Sequence, residues 1–204
     1  MQTVPSWIKY HSPHANKPSV RVRLPAKKDE WDLSQLSDIK SLVNVEIIAG
    51  AGKTKLFSAH SAEFLQLEGL IISGAEIDFQ NFRPFPKLKI LRLKNCSLKE
   101  SLFLPEKIEI LKLSGCGLTH IDSIIRQVPG LLELDLSANK IEELPTCLPK
   151  LFRLKRLNLD GNSIHSLTLR QQDFPNLCHF SIDDNPLSQE SRQSLFEQFK
   201  IWGT

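Results

Sequence analysis

The sequence lacks several features that would assign a chain to a particular class of protein. Its 204 residues include only four cysteines, and none of them forms a CxxC pair. This usage is typical of a reducing compartment, where thiols act as small buried side chains. The first 19 residues contain no apolar segment like that of a secretory signal, and no apolar run is long enough to span a bilayer. We therefore expect no membrane partner and an intracellular protein, cytoplasmic or nuclear, or, if its source is a bacterium, one delivered into a host cell.

The sequence also has little net charge and no grouping of catalytic residue types. Its formal charge of +3 does not by itself predict binding to nucleic acid or membrane. The six histidines lie in separate segments, and His11 and His14, although spaced like metal ligands, have no matching second pair. We therefore predict no catalytic residue, no metal site and no cofactor.

What the sequence does contain is a pattern of eleven residues, LxxLxLxxNxL, that recurs along the chain. Five copies are strong, two of them with cysteine at the asparagine position, and they occupy residues 88–98, 108–118, 131–141, 154–164 and 177–187. Residues 42–50 and 67–77 keep the apolar spacing without the asparagine, and residues 20–24 alternate like a further strand. The central residues of successive copies lie 20 to 25 residues apart.

This pattern resembles the leucine-rich repeat family, whose period is about 20–29 residues. The resemblance implies an α/β fold, a curved right-handed solenoid with parallel strands on its concave face and short helices or turns on its convex face. One copy cannot bury its apolar face alone, so neighbouring copies must stack. We predict about eight coils over residues 20–187, of which the first one or two are degenerate.

The two ends of such a solenoid need covers. Residues 188–204 are predicted to form a capping helix that begins at Ser188, a favoured N-cap residue, and places Leu195, Phe196 and Phe199 against the last coil. Residues 1–19 form either an N-terminal cap or an arm.

The segment GAGKT, from Gly50 to Thr54, resembles the front of a nucleotide-binding loop. Such a loop needs a glycine five positions before the second glycine, and Ile47 stands there instead. The repeat frame assigns Ile47 to the core, so we interpret the segment as a repeat turn, with Lys53 and Thr54 at the exposed start of the return path. Nucleotide binding at this segment is a remote alternative.

Residues that flank the inward-facing pair of each strand should project from the concave face. Four isoleucines fall at such positions in four successive copies, which predicts an apolar patch with a charged rim. The alternative is a solvated polar face with scattered aliphatic residues. Our candidate partner-binding residues are Ile48, Ile71, Ile90, Arg92, Lys94, Ile110, Lys112, Asp135, Asn158 and Asp160.

The family resemblance implies a monomeric, non-enzymatic module, such as an adaptor, a substrate receptor or a regulator, that binds a partner protein on its concave face. An alternative is binding of nucleic acid or a phosphorylated ligand by a basic tract of Arg21, Arg23, Lys27, Lys28, Lys53, Lys55, Arg92, Lys94 and Lys112. The acidic C-terminal half and the lack of a stacking aromatic motif disfavour nucleic acid. A bacterial effector that acts on a host protein is a more remote alternative.

Overall fold

The computed structural model describes residues 8–11, 19–25, 29–36, 42–49, 54–57, 64–78, 82, 85–98, 102–167 and 169–199. Most strands of these residues belong to one nine-stranded main sheet. In their order across the sheet they are β1 (Ile8–His11), β2 (Ser19–Arg23), β4 (Asn44–Ile48), β6 (Gly69–Ser73), β8 (Ile90–Lys94), β10 (Ile110–Ser114), β11 (Glu133–Asp135), β12 (Arg156–Asn158) and β13 (His179–Ser181).

The eight strands from β2 to β13 are parallel, and their register repeats from coil to coil. Leu91 pairs with Leu70 on one side and with Leu111 on the other, so equivalent residues of each copy stack directly. The predicted parallel-strand solenoid is therefore confirmed. At the amino-terminal edge, β1 pairs with β2 in the antiparallel direction, with Ile8 opposite Val22.

The inward-facing residues of the strands form one continuous apolar core. Leu134 and Leu136 are fully buried, as the alternation of side chains along a strand predicts. Ile47 is fully buried too, which confirms its assignment to the core. Burial of each such side chain contributes about 1.5–3 kcal/mol to folding.

Asparagine at the consensus position forms hydrogen bonds that link neighbouring coils. Asn139 Oδ1 accepts hydrogen bonds from the backbone N–H groups of Cys116 and Leu118, at 3.0 and 3.1 Å. Its Nδ2 donates to the carbonyl oxygens of Leu113 and Leu136, at 2.7 and 2.8 Å. One buried amide thus satisfies polar groups that the strand ends would otherwise leave unpaired.

Cysteine can occupy this position because its thiol also donates a hydrogen bond. Cys96 Sγ donates to the carbonyl of Ile72 and Cys116 Sγ to that of Leu93, at 3.5 and 3.4 Å. Burial raises the pKa of the Cys96 thiol and raises that of Cys116 to about 12. Both groups therefore stay protonated at neutral pH and act as donors.

The outer face of the N-terminal coils differs from the predicted short helices or turns. A second, parallel sheet lies there, made of β3 (Glu30–Asp32), β5 (Thr54–Phe57), β7 (Ala75–Ile77) and β9 (Ser97–Leu98). Thr54 is buried within β5, so the predicted exposure of this residue is wrong. Gly50 and Lys53 of the GAGKT segment lie outside the described residues.

Helices in the described part of the chain are few. They are 3-10 turns at Leu33–Leu36, Leu148–Lys150 and Gln171–Asp173, a four-residue helix α1 (Asp122–Ile125), and a C-terminal helix α2 (Gln189–Gln198). Leu144, Leu148 and Leu151 have helical spacing, but Pro149, which has no N–H to donate, lies in the short turn that forms there. No described helix has the length and apolar character needed to cross a membrane.

Helix α2 covers the last coil and lies within the predicted range 188–204, of which residues 200–204 are outside the described residues. Ser188 is its N-cap, and its Oγ accepts a hydrogen bond from the Ser191 N–H at 3.1 Å. Phe199 is buried with its ring centroid 4.9 Å from that of Phe180, and Leu195 packs partly against the core. The prediction for Phe196 is wrong: it is 78% exposed, because it follows Leu195 by one residue and so points about 100° away from it around the helix.

Candidate partner-binding face

The register of the main sheet arranges the outward-facing side chains of its parallel strands in three rows. The first row consists of Ser19, Asn44, Gly69, Ile90, Ile110, Glu133, Arg156 and His179. The second row consists of Arg21, Glu46, Ile71, Arg92, Lys112, Asp135, Asn158 and Ser181. The third row, over the strands β2 to β10, consists of Arg23, Ile48, Ser73, Lys94 and Ser114.

The four isoleucines occupy this face but not a single row. Ile90 and Ile110 are neighbours in the first row, Ile71 is in the second and Ile48 is in the third. All four side chains are half-buried. They therefore run diagonally across four strands, and a single binding patch made of all four remains a prediction.

A hollow of about 350 Å³ opens over the amino-terminal half of the face. Ile71 and Ile90 line it, whereas Ile48 and Ile110 do not. The other residues around it are Ser19, Val20, Arg21, Asn44, Val45, Glu46, Gly69 and Arg92.

Gly69, which carries no side chain, lies in the first row among the residues that line the hollow. The Asn44 amide lies across this glycine, and a Cβ at Gly69 would be only 2.4 Å from Asn44 Oδ1. A glycine inside a strand often marks such a close approach. This signal was present in the sequence, but our candidate set included neither Gly69 nor Asn44.

Two basic residues of the face are already neutralised within the chain. Arg21 Nε forms an ion pair with Glu46 Oε2, and Lys112 Nζ lies 2.7 Å from Glu133 Oε1. Arg92 and Lys94 form no ion pair within the described part of the chain. Of the basic candidate residues, the two on strand β8 therefore keep their positive charge available to a ligand.

The carboxyl-terminal half of the face is more acidic, and its carboxylates accept hydrogen bonds from backbone N–H groups near the strand ends. Asp135 Oδ1 accepts from the Ser137 N–H at 3.0 Å, and Asp160 Oδ1 accepts from the Asp183 N–H at 2.8 Å. Asn158 Oδ1 accepts from the Asp160 N–H at 2.9 Å. The predicted residues Asp135, Asn158 and Asp160 thus have a structural role on this face.

The basic tract considered from sequence does not form one surface. Lys55 lies on β5 of the second sheet, where its Nζ is 2.9 Å from Asp78 Oδ2 and 3.7 Å from Glu30 Oε1. The hydrogen bond to Asp78 raises the pKa of Lys55. Lys27, Lys28 and Lys53 lie outside the described residues. Within the residues that are described, no three His, Cys, Asp or Glu side chains are grouped to hold a metal ion.

Comparison with known proteins agrees with this architecture. A family model for the leucine rich repeat matches residues 106–164. Leucine-rich repeat protein 1 of Homo sapiens is 32% identical over 105 residues, which make up 52% of this chain and 23% of that protein. The chain therefore spans less than a quarter of the length of this curated relative.

Solved structures show the same fold. A leucine-rich repeat protein of Leptospira interrogans superposes with a TM-score of 0.63 at 19% identity, covering 90% of this chain and 53% of that one. TLR13, solved in complex with ssRNA13, superposes with a TM-score of 0.66 at 21% identity, covering 86% of this chain and 26% of that one. The periodic sequence, the stacked parallel strands and these matches show that this chain contains leucine-rich repeats and has the leucine-rich repeat fold.

Proposed function

We propose that this chain recognises a partner protein through the outward-facing rows of its main sheet. The leucine-rich repeat fold is generally a protein-protein interaction module. The observation that carries the proposal is the set of half-buried isoleucines on a face whose charges are held in fixed rows by the strand register. The role would be that of an adaptor, a substrate receptor or a regulator without catalysis of its own.

Rigid docking explains how such a face would work. The side chains stand on paired strands and are partly immobilised before binding, so less conformational entropy is lost when a partner docks. Burial of the isoleucines would supply desolvation, at about 25 cal/mol for each Å² of apolar surface. The basic charge near β8 and the acidic charge towards β13 would orient the partner.

The ion pairs favour a protein partner over RNA. That TLR13 was solved with ssRNA13 is a property of that protein. Here Arg21 and Lys112 are neutralised by Glu46 and Glu133, and Lys55 lies on the other sheet. We also propose that the protein is monomeric and intracellular. The exposed thiol of Cys178 is free, which suits a reducing compartment.

Substitution of an isoleucine on this face tests the proposal. Ile71→Arg should fold normally. In quantitative affinity capture the amount of bound partner protein should fall about tenfold or more, because the substitution places a charge in the apolar contact. Leu65→Arg is the matched control, since this exposed aliphatic residue precedes the same strand but does not line the hollow. Both variants are first compared with the wild type by thermal unfolding.

The proposal predicts partners that wild type and Leu65→Arg capture equally and that Ile71→Arg and Ile90→Arg lose. If the two well-folded isoleucine variants capture the same proteins as the wild type, this face is not the binding surface.

A further inference from the structure

Among the charged residues that line the hollow, Arg92 has no counter-charge within the described part of the chain. Its Nε is shielded from solvent and has no hydrogen-bond acceptor among the described residues. The side chain is half-buried, and Arg92 lines the hollow. A shielded N–H of a cation without an acceptor is unfavourable, and an anion beside the guanidinium group would offset part of that cost.

The register explains why no acceptor is close. In the second row Arg92 stands between Ile71 on β6 and Lys112 on β10. Its diagonal neighbours on these two strands carry no carboxylate; they are Gly69, Ser73, Ile110 and Ser114. By contrast, Arg21 and Lys112 each have a carboxylate on the adjacent strand and use it. The positive charge at Arg92 is therefore placed to be neutralised by another molecule.

The two sides of the hollow differ in their chemical character. Its apolar surface comes from Ile71 and Ile90, next to Arg92, whereas Glu46 borders the opposite side. Glu46 is paired with Arg21, so that side of the hollow has no net charge to attract an anion, and an anion is favoured over β8. A volume of about 350 Å³ is at the lower end of the range for ligand pockets, about 300–1,000 Å³, and suits a few side chains of a protein segment.

We propose that this hollow binds an acidic side chain of the partner protein. The carboxylate of an aspartate or glutamate would accept hydrogen bonds from the terminal nitrogens of Arg92, with Lys94 adding positive charge from the next row. An aliphatic residue beside that acid would pack on Ile71 and Ile90. This inference rests on the proposed function and names the chemical feature of the partner that the face selects.

A peptide selection followed by a double-mutant cycle tests the inference. Random peptides of about twelve residues, displayed on phage, are selected on the wild-type chain and counter-selected on Ile71→Arg. The enriched sequences should share an aspartate or glutamate next to leucine, isoleucine or valine. Synthetic peptides, acetylated and amidated to remove terminal charges, are then measured by fluorescence anisotropy.

For a selected peptide, Arg92→Met and the Glu→Gln or Asp→Asn change in the peptide should each weaken binding about 10- to 100-fold. Together they should weaken it little more than either one alone, because both remove the same contact. Arg92→Met keeps an apolar stem and should fold. Arg126→Met, which removes an exposed cation at the end of helix α1, away from the main sheet, should leave affinity unchanged.

A second variant tests the shape of the hollow. Gly69→Ala introduces a methyl group that only the flexible end of Asn44 must avoid, so folding should be preserved while peptide affinity falls. The inference would be overturned by any of three results. These are additive losses of affinity in the double-mutant cycle, enriched peptides without acidic residues, and binding that depends on a free carboxyl terminus of the peptide.

The outcomes separate this inference from the proposed function. Peptides that lose binding to Ile71→Arg but not to Arg92→Met would leave the face as a docking surface and refute the acidic contact. A selection that enriches no peptide, or only peptides insensitive to both substitutions, would count against both.

Discussion

At the scale of single residues, the turn that leaves each strand of the main sheet has a special backbone conformation. Equivalent positions in six successive coils have positive φ angles of 52° to 72°; they are Gly74, Asn95, Gly115, Ala138, Gly161 and Asp184. Glycine adopts this conformation without steric cost, whereas Asn and Asp tolerate it better than other residues do. Alanine has neither advantage, so Ala138 is strained.

We predict that Ala138→Gly stabilises the chain, by about 0.5–1 kcal/mol, because it relieves this strain and more than offsets the added freedom of the unfolded chain. The reverse change, Gly161→Ala, should destabilise it by about 1 kcal/mol. At Gly161 a Cβ would meet only ordinary contacts of 3.6 Å, so the cost would come from the backbone. Urea unfolding of both variants measures the two effects, and equal stability of Ala138→Gly and the wild type would contradict the strain.

This residue-level pattern was only partly visible in sequence. The glycines at 115 and 161 and the alanine at 138 were recognisable as turn residues because they precede the consensus Cys or Asn. That Ala138 has the same left-handed backbone as the glycines is a property of the stacked coils. Its N–H bonds to the Asp160 carbonyl at 2.8 Å, just as the Gly161 N–H bonds to that of Asp183 at 2.9 Å.

At the scale of elements, helix α2 shows how one face of a short, polar helix can close a solenoid. The helix contributes few apolar side chains, and contact with the last coil depends on Phe199 just beyond its end, with Leu195 half-buried. Ser191 is also buried, and its Oγ accepts from the Leu167 N–H at 3.1 Å. The cap therefore combines a ring contact with a hydrogen bond.

We predict that Phe199→Ala lowers the free energy of unfolding by about 3 kcal/mol, since it removes a buried ring packed on Phe180. Phe196→Ala is the matched control, and it should change stability by less than about 0.5 kcal/mol because this ring is exposed. Chemical denaturation distinguishes them. Equal losses would show that the two phenylalanines share the packing that we assign to Phe199 alone.

The outer elements of the coils were predicted less well than the inner strands. Apolar residues on the outer side, such as Leu56 and Ile77, are compatible with either a short helix or a strand. Pairing decided between them: β5 pairs with β3 and β7 through backbone hydrogen bonds that no single coil could make alone. Local sequence carries no information about such partners.

At the scale of the whole molecule, one hydrophobic core runs from Val20 to Phe199 without interruption. Each coil contacts only its neighbours, so stability should be a sum of coil and interface terms. A substitution in a central coil weakens two interfaces at once. Cooperative unfolding then requires that those interfaces be strong compared with the stability of a single coil.

We predict that Leu111→Ala, in central strand β10, destabilises the chain by about 2–5 kcal/mol. Because the core is continuous, amide hydrogen exchange should accelerate by similar factors in β4 and β12, which flank it at a distance. Acceleration confined to β8, β10 and β11 would instead show that the coils open independently.

The sequence alone determined the period, the inward-facing residues and the parallel solenoid, because equivalent apolar positions recur in every copy and must stack to be buried. It also indicated which residues face outward. Only the tertiary structure decided which of these meet, since rows across a sheet depend on strand register: Ile71 and Ile90 border a shared hollow with Arg92, whereas Ile48 and Ile110 do not. Within this hollow Asn44 also lies over Gly69, a contact between residues that are neighbours only after the coils have stacked.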